Sequence, residues 1–156
     1  CRIVRRGNRR RARSGDTLGQ QVEDLFIWGA EAYFTMDGQI GVASWNAQDY
    51  EWQLRDNSIL SLDGGTLSSP TLIRKDTELY MILVAEDDTG SWIARATQDA
   101  GGNWRLGNTM VAPEDGTIID VTAVEEFGIN QWRLFATVEV VIVLEYRHVL
   151  KAPEMM

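Results

Sequence analysis

Trp52-Gln53-Leu54-Arg55 recurs as Trp104-Arg105-Leu106-Gly107, 52 residues further along the chain. The same offset lays Ile40-Gly41-Val42-Ala43 on Trp92-Ile93-Ala94-Arg95, Ile59 on Val111, Asp63-Gly64 on Asp115-Gly116, Tyr80 on Trp132 and Leu83-Val84 on Phe135-Ala136. Apolar side chains coincide often by chance. A shared Trp and a shared Asp-Gly are less interchangeable and carry the match. A fixed period of this length marks an array of similar units, each burying its apolar face against its neighbours.

Each unit reads as four short strands. In the best copy they are predicted at 70–74, 79–85, 91–97 and 105–112. Clusters of turn formers separate them: Lys75-Asp76-Thr77-Glu78, Glu86-Asp87-Asp88-Thr89-Gly90, Asp99-Ala100-Gly101-Gly102-Asn103 and Pro113-Glu114-Asp115-Gly116. Asp, Asn and Gly accept the backbone angles that tight hairpins require. The second strand is apolar on both faces, as expected of a strand covered on both sides. The third alternates Trp92, Ala94 and Ala96 with Ile93, Arg95 and Thr97, so one of its faces is partly polar. No long window holds a helical period. The expected fold is therefore all-β: a β-propeller fragment of about three four-stranded antiparallel blades across 21–156, preceded by a basic tail at 1–20 that is expected to be disordered. Propellers close with four to eight blades. The chain is thus expected to be an incomplete domain, or one that self-associates through its open blade edges.

Composition narrows the chemistry. The chain has 156 residues, enough for a sizeable core, with one Cys, one His and a net charge of −8. Cys1 cannot form an internal disulfide, and Cys1 with His148 cannot build a zinc site. His148 is the only histidine available to a nucleophile–base triad, and it sits in an apolar strand pattern. No apolar run is long enough for a membrane helix; the longest, at 140–144, suits a buried strand. Seven arginines fall within residues 1–14, leaving eight basic side chains against 23 acidic ones in the rest. The acidic body repels phosphates, so no nucleic-acid partner is expected. No cofactor, metal or membrane partner is expected either.

Propeller geometry sorts the carboxylates. Connections between units share one end with the second-to-third hairpins, which collects Asp37, Asp63, Glu86, Asp87, Asp88, Glu114, Asp115, Asp120 and Glu139. The other end collects Asp76, Glu78, Asp99, Glu125 and Glu126. Paired carboxylates at the axial end of inner strands suit acid–base cleavage of a glycosidic bond, with separations of about 6.5–9.5 Å for inversion or about 5–5.5 Å for retention. The Glu86-Asp87-Asp88 run offers oxygen ligands of the kind calcium takes but lacks a calcium-loop spacing.

Thr97-Gln98-Asp99-Ala100-Gly101-Gly102-Asn103-Trp104 resembles the Asp box of sialidases, Ser/Thr-x-Asp-x-Gly-x-x-Trp. The resemblance implies a structural role for Thr97, Asp99, Gly101 and Trp104: the carboxylate gathers backbone N–H groups, the Gly takes a positive φ, and the Trp packs between blades. The copy before it keeps Trp52 but has Ala47 and Asp49 at the offsets of Asp99 and Gly101.

Residues 69–104 also resemble blades of the five-bladed arabinosidase, xylosidase and invertase glycosidases. The shared cadence is a Ser/Asp-Pro start, a Tyr-bearing second strand, Trp-Ile-Ala-Arg-Ala-Thr and the Asp box. Ile119-Asp120-Val121-Thr122-Ala123-Val124, followed by Gly128 and Trp132-Arg133-Leu134-Phe135, is similar to that family's Ile-Asp-Pro blade start. The resemblance implies that Asp120 orients the sugar or tunes the acid, that Glu86, Asp87 and Trp92 lie at the rim where a carbohydrate substrate or ligand binds, and that the location is extracellular or periplasmic. Val121 stands where the family has Pro, and Ser69 where it has Asp. The family's Glu-Gly-Pro acid and the sialidase Arg triad have no counterpart. Two functions are expected on these grounds: hydrolysis of O-glycosidic bonds by carboxylate acid–base catalysis in the full-length protein, or non-catalytic binding of a glycan or protein partner.

Overall fold

The computed structural model describes residues 22–126 and 131–140. They form ten strands: β1 (Val22–Trp28), β2 (Glu31–Met36), β3 (Gln39–Asn46), β4 (Glu51–Leu60), β5 (Thr66–Lys75), β6 (Glu78–Asp87), β7 (Gly90–Gln98), β8 (Trp104–Val111), β9 (Thr117–Glu126) and β10 (Gln131–Glu139). They build three antiparallel sheets: β1-β2-β3-β4, β5-β6-β7-β8 and the pair β9-β10. Below these are sheets 1, 2 and 3. No helix occurs among the described residues.

Local sequence explains the hairpins. Asp37 and Gly38 link β2 to β3 with φ of 55° and 73°, the positive pair a type I′ turn demands. Two residues also link β1 to β2, β5 to β6 and β6 to β7. The four strands predicted in the best copy are β5 to β8, each within a few residues of its expected ends. In β6, Met81 to Ala85 are all buried. The third unit was expected to have four strands, of which β9 and β10 are described. The 1–20 tail, Gly128, His148 and most of the 140–144 stretch lie outside the described residues.

The two apolar faces of β6 feed two cores. Met81, Leu83 and Ala85 join Tyr33, Ile40, Val42 and Leu60 of sheet 1 with Leu72, Ala94 and Trp104. Ile82 and Val84 join Ile73, Ile93, Ile118 and Val121, with Trp132 and Leu134 of β10 alongside. Sheets 1 and 2, and sheets 2 and 3, therefore stack face to face. The stacking repeats: β5 lies against β1, β2 and β3, and β9 lies against β5, β6 and β7.

Hydrogen bonds repeat with it. Leu67 N–H donates to Gly38 C=O at 2.8 Å, and Ile118 N–H donates to Ser91 Oγ at 2.7 Å. In both cases the start of a sheet's first strand is tied to the second-to-third hairpin region of the preceding sheet. Thr71 Oγ1 donates to Val121 C=O at 3.4 Å, and Trp132 Nε1–H to Arg74 C=O at 3.1 Å. Gly38 must be small here: a Cβ would stand 2.8 Å from the Thr66 methyl.

The 52-residue offset holds at the start of the fourth strand, slips by one in the third, and ends at 51 where Leu60 and Val111 pair with Ile40 and Ile93. Ala43 faces Leu54 while Ala96 faces Leu106, and Trp45 faces Trp52 while Gln98 faces Trp104. Structural counterparts in β3 and β7 are thus 53 apart, because the turn after β3 is one residue longer. Ile40 therefore matches Ile93, not Trp92. The correction is physical, since a one-residue slip moves every side chain to the opposite face.

Trp104 is 8% exposed, and its ring meets Tyr33 edge-on at 6.2 Å between sheets 1 and 2. Burying such a ring covers ~150–250 Å² and contributes roughly 4–6 kcal/mol as an upper figure. Replacing Trp104 by Ala is expected to lower unfolding free energy by about 3–5 kcal/mol. Urea denaturation checks this; a loss below about 1 kcal/mol would mean the ring does not hold the sheets together.

Candidate functional site

The first strand of each sheet breaks its ladder near its start, in β1 and β5 at the polar residue itself and in β9 beside it. β1 breaks its ladder between Glu23 and Phe26, with Asp24 at φ 51°. β5 breaks its ladder between Ser68 and Thr71, with Ser69 at φ 52°. In β9, Ile118 pairs with Val138 and Asp120 with Thr137, leaving Ile119 as the extra residue beside Asp120. Bulges re-aim side chains and recur beside functional sites. Asp24-Leu25-Phe26, Ser69-Pro70-Thr71 and Asp120-Val121-Thr122 are therefore counterparts on three neighbouring inner strands.

Asp24 was missing from the carboxylates sorted by sequence. It precedes Ser69 by 45 residues, whereas Ser69 precedes Asp120 by 51, so a single 52-residue offset passes over it. The signal that finds it is the short cadence of a carboxylate or hydroxyl opening an inner strand. Its Oδ2 accepts the Ser69 N–H at 3.1 Å and the Thr35 hydroxyl at 3.2 Å. Asp24 thus clamps sheet 1 to sheet 2. Ser69, which is buried, stands where the resembled family has a carboxylate, and its N–H serves this clamp.

Asp120 is exposed on β9, and its Oδ1 accepts the Val121 N–H at 2.9 Å. Glu86 is exposed at the end of β6, opposite Thr66 and Ser91. Asp87 is occupied by its own turn: Oδ1 accepts the Thr89 hydroxyl at 2.6 Å and the Thr89 N–H at 2.8 Å. Those bonds, the hydroxyl first, hold its pKa below the ordinary carboxylate value. Trp92 lies opposite Ala85 and packs half-buried against the core between sheets 1 and 2. Among the described residues, no group of three His, Cys, Asp or Glu is arranged to hold a metal ion.

The Asp-box segment folds as a capped turn at the opposite end of sheet 2. Asp99 Oδ1 accepts the N–H groups of Gly101 and Asn103, each at 2.9 Å, and Asp99 N–H donates to Asn103 C=O at 2.9 Å. Thr97 pairs with Tyr80 and Arg105 beneath it. One expectation is corrected: the positive φ falls on Gly102, at 82°, not on Gly101. Gly101 supplies an N–H to the carboxylate. In sheet 1 the corresponding cap is Asn46, whose Oδ1 accepts Gln48 N–H at 2.9 Å. Asn46 takes the role of Asp99, because the longer turn shifts the capping position one residue from Ala47.

Two outcomes follow. Asp24→Ala leaves the Ser69 N–H without its acceptor and is expected to cost about 1–3 kcal/mol; Asp24→Asn, which keeps an acceptor oxygen, is expected to cost less. Equal losses for both in urea unfolding would remove the clamp. Asp99 has its pKa lowered, first by the Asn103 N–H and then by the Asn103 side-chain amide. A depressed folded pKa stabilises fully above the unfolded value of about 3.9 and loses that effect as pH falls through the folded value. The melting-temperature gap between the wild type and Asp99→Ala is therefore expected to be constant above about pH 5 and to close toward about pH 2. A gap independent of pH would contradict the capping role.

No family model, curated protein or solved structure matches the chain, so the inner-strand carboxylates stand on their own geometry.

Proposed function

We propose that the three sheets are blades of a carbohydrate-active β-propeller, and that its inner strands carry the carboxylates of a glycoside hydrolase. The observation that carries this is the polar residue near the start of the first strand of each sheet, Asp24, Ser69 and Asp120, the first two inside a break in the ladder and the third beside one, with carboxylates at two of the three. The repeated stacking of β5 and β9 on the first three strands of the preceding sheet suits a propeller. Val124 and Phe135 support further blades: they occupy the ladder positions on sheet 3 that Ile73 and Ile82 hold on sheet 2, yet are more than half exposed. Another sheet laid on that face, from a longer chain or a second copy, would cover them.

In this function one carboxyl group protonates the leaving oxygen, and a second activates water or attacks the anomeric carbon. Asp120 orients the sugar or modulates the acid, with Glu86 at the rim. A second function is favoured by one specific observation, the engagement of Asp24 with Ser69 and Thr35. A carboxylate spent on holding two sheets suits a propeller that binds a glycan without cleaving it.

Hydrolysis of a panel of aryl glycosides by the full-length protein tests the proposal. Asp120→Asn is expected to lower kcat/KM by about 10²-fold or more, with the melting temperature unchanged. Unaltered turnover in that variant would remove Asp120 from the mechanism. Glycan binding with no turnover would favour the second function.

A further inference from the structure

The turns after β3 and β7 occupy the same place in sheets 1 and 2, yet their chemistry differs. In sheet 2, Trp104 faces Gln98, and the residue two before it is Gly102 at φ 82°. The Gln98 amide donates to Gly102 C=O at 3.3 Å, so that turn is polar and self-contained. In sheet 1, Trp52 faces Trp45, and the residue two before it is Tyr50 at φ 51°. Both the Gln and the Gly positions have become aromatic.

The Tyr50 ring is not placed there by the needs of the fold. Left-handed backbone angles crowd the Cβ of an L-residue against its own peptide, which glycine avoids. A bulky side chain held at such angles is an outlier that invites a functional explanation. Burial does not offset the crowding, because Tyr50 is 77% exposed. Trp45 is 39% exposed and meets Trp52 edge-on at 5.4 Å. The frame beneath the rings is closed by other groups: Asn46 Oδ1 accepts Gln48 N–H, and the Asn46 amide donates to Asp49 at 2.8 Å.

We propose that Trp45 and Tyr50 form a binding platform for a neutral sugar residue of a polysaccharide, with exposed Gln48 and Asp49 as its polar rim. Flat aromatic rings on a fixed turn offer stacking area at little conformational cost. The C–H face of a sugar ring stacks on such surfaces, while its hydroxyls reach amide and carboxylate groups at the edge. Asp49 and the net charge of −8 disfavour an anionic ligand. Size disfavours a protein: a stable protein interface needs about 800 Å² from each partner, whereas two rings on one turn suit one or two sugar units. The platform is at the end of sheet 1 away from Asp24, since β3 leads from the Asp37-Gly38 hairpin to this turn. It is therefore independent of any chemistry at the inner-strand carboxylates.

Affinity electrophoresis of the full chain in gels containing xylan, arabinan, mixed-linkage glucan or levan tests the platform. Retardation by at least one polysaccharide is expected. Trp45→Gln and Tyr50→Gly, which install the sheet 2 chemistry, are each expected to weaken it about fivefold or more. Tyr50→Gly is also expected to keep or raise the melting temperature, because it relieves the backbone crowding. Absence of retardation in all four gels overturns the proposal, as does undiminished retardation in both turn variants. Capture of a protein through these rings without polysaccharide binding also overturns it. A fall in melting temperature for Tyr50→Gly would assign the ring to packing and likewise overturn it.

Discussion

The structure depends on how the free edge of each sheet's first strand is satisfied. β5 and β9 each have a ladder partner on one side only, and buried N–H groups on the other side must find acceptors. They find them in the preceding sheet: Leu67 N–H on Gly38 C=O, Ser69 N–H on Asp24, Ile118 N–H on Ser91. Each bond ties one sheet to the next at the same end. In β1 and β5 the tie joins the two ladder breaks themselves, Asp24 to Ser69. A buried donor left unmet costs about 1–3 kcal/mol, which makes Asp24 a structural residue whatever else it does.

Apolar packing completes what those bonds position. The strict alternation of β6 supplies two cores at once, with Met81 and Leu83 on one side and Ile82 and Val84 on the other. Tyr33 shows how a polar group is accommodated between sheets. Its ring meets Trp104, and its hydroxyl donates to the Glu31 carboxylate, which Arg55 holds at 2.7 Å. Burial, followed by the Glu31 charge and hydrogen bond, raises the phenol's pKa well above its ordinary value. The group stays neutral, so the core carries no buried phenolate.

The two ends of the sheets are built for different tasks. One end gathers the starts of the sheets' first strands, with Asp24 and Asp120, and the end of β6 with Glu86. The other gathers the turns that follow the third strands. Asp99 closes one such turn through backbone N–H groups, and Asn46 closes the other. A turn already closed by its capping residue is free to vary elsewhere, and in sheet 1 the variation is aromatic.

Strand content and the places of the turns were legible in the residues, and the Asp-box resemblance implied the inter-sheet position of Trp104. They follow from local rules: alternation decides faces, Asp and Gly accept hairpin angles, and a large ring seeks burial. Asp24 was not legible, because connection lengths change between units without disturbing the ladders; Asp24 and Ser69 are 45 apart where 52 was expected. The exact match of Ile40 with Ile93, the positive φ at Gly102 and the substitution of Asn46 for Asp99 were hidden for a related reason. One added residue in the turn after β3 shifts register, and register flips faces. The sequence by itself determined that this chain makes short antiparallel strands in repeating units, because those preferences are local. Only the tertiary structure decided which carboxylate is spent on holding two sheets together, because that depends on which edge N–H of one sheet reaches which acceptor of another.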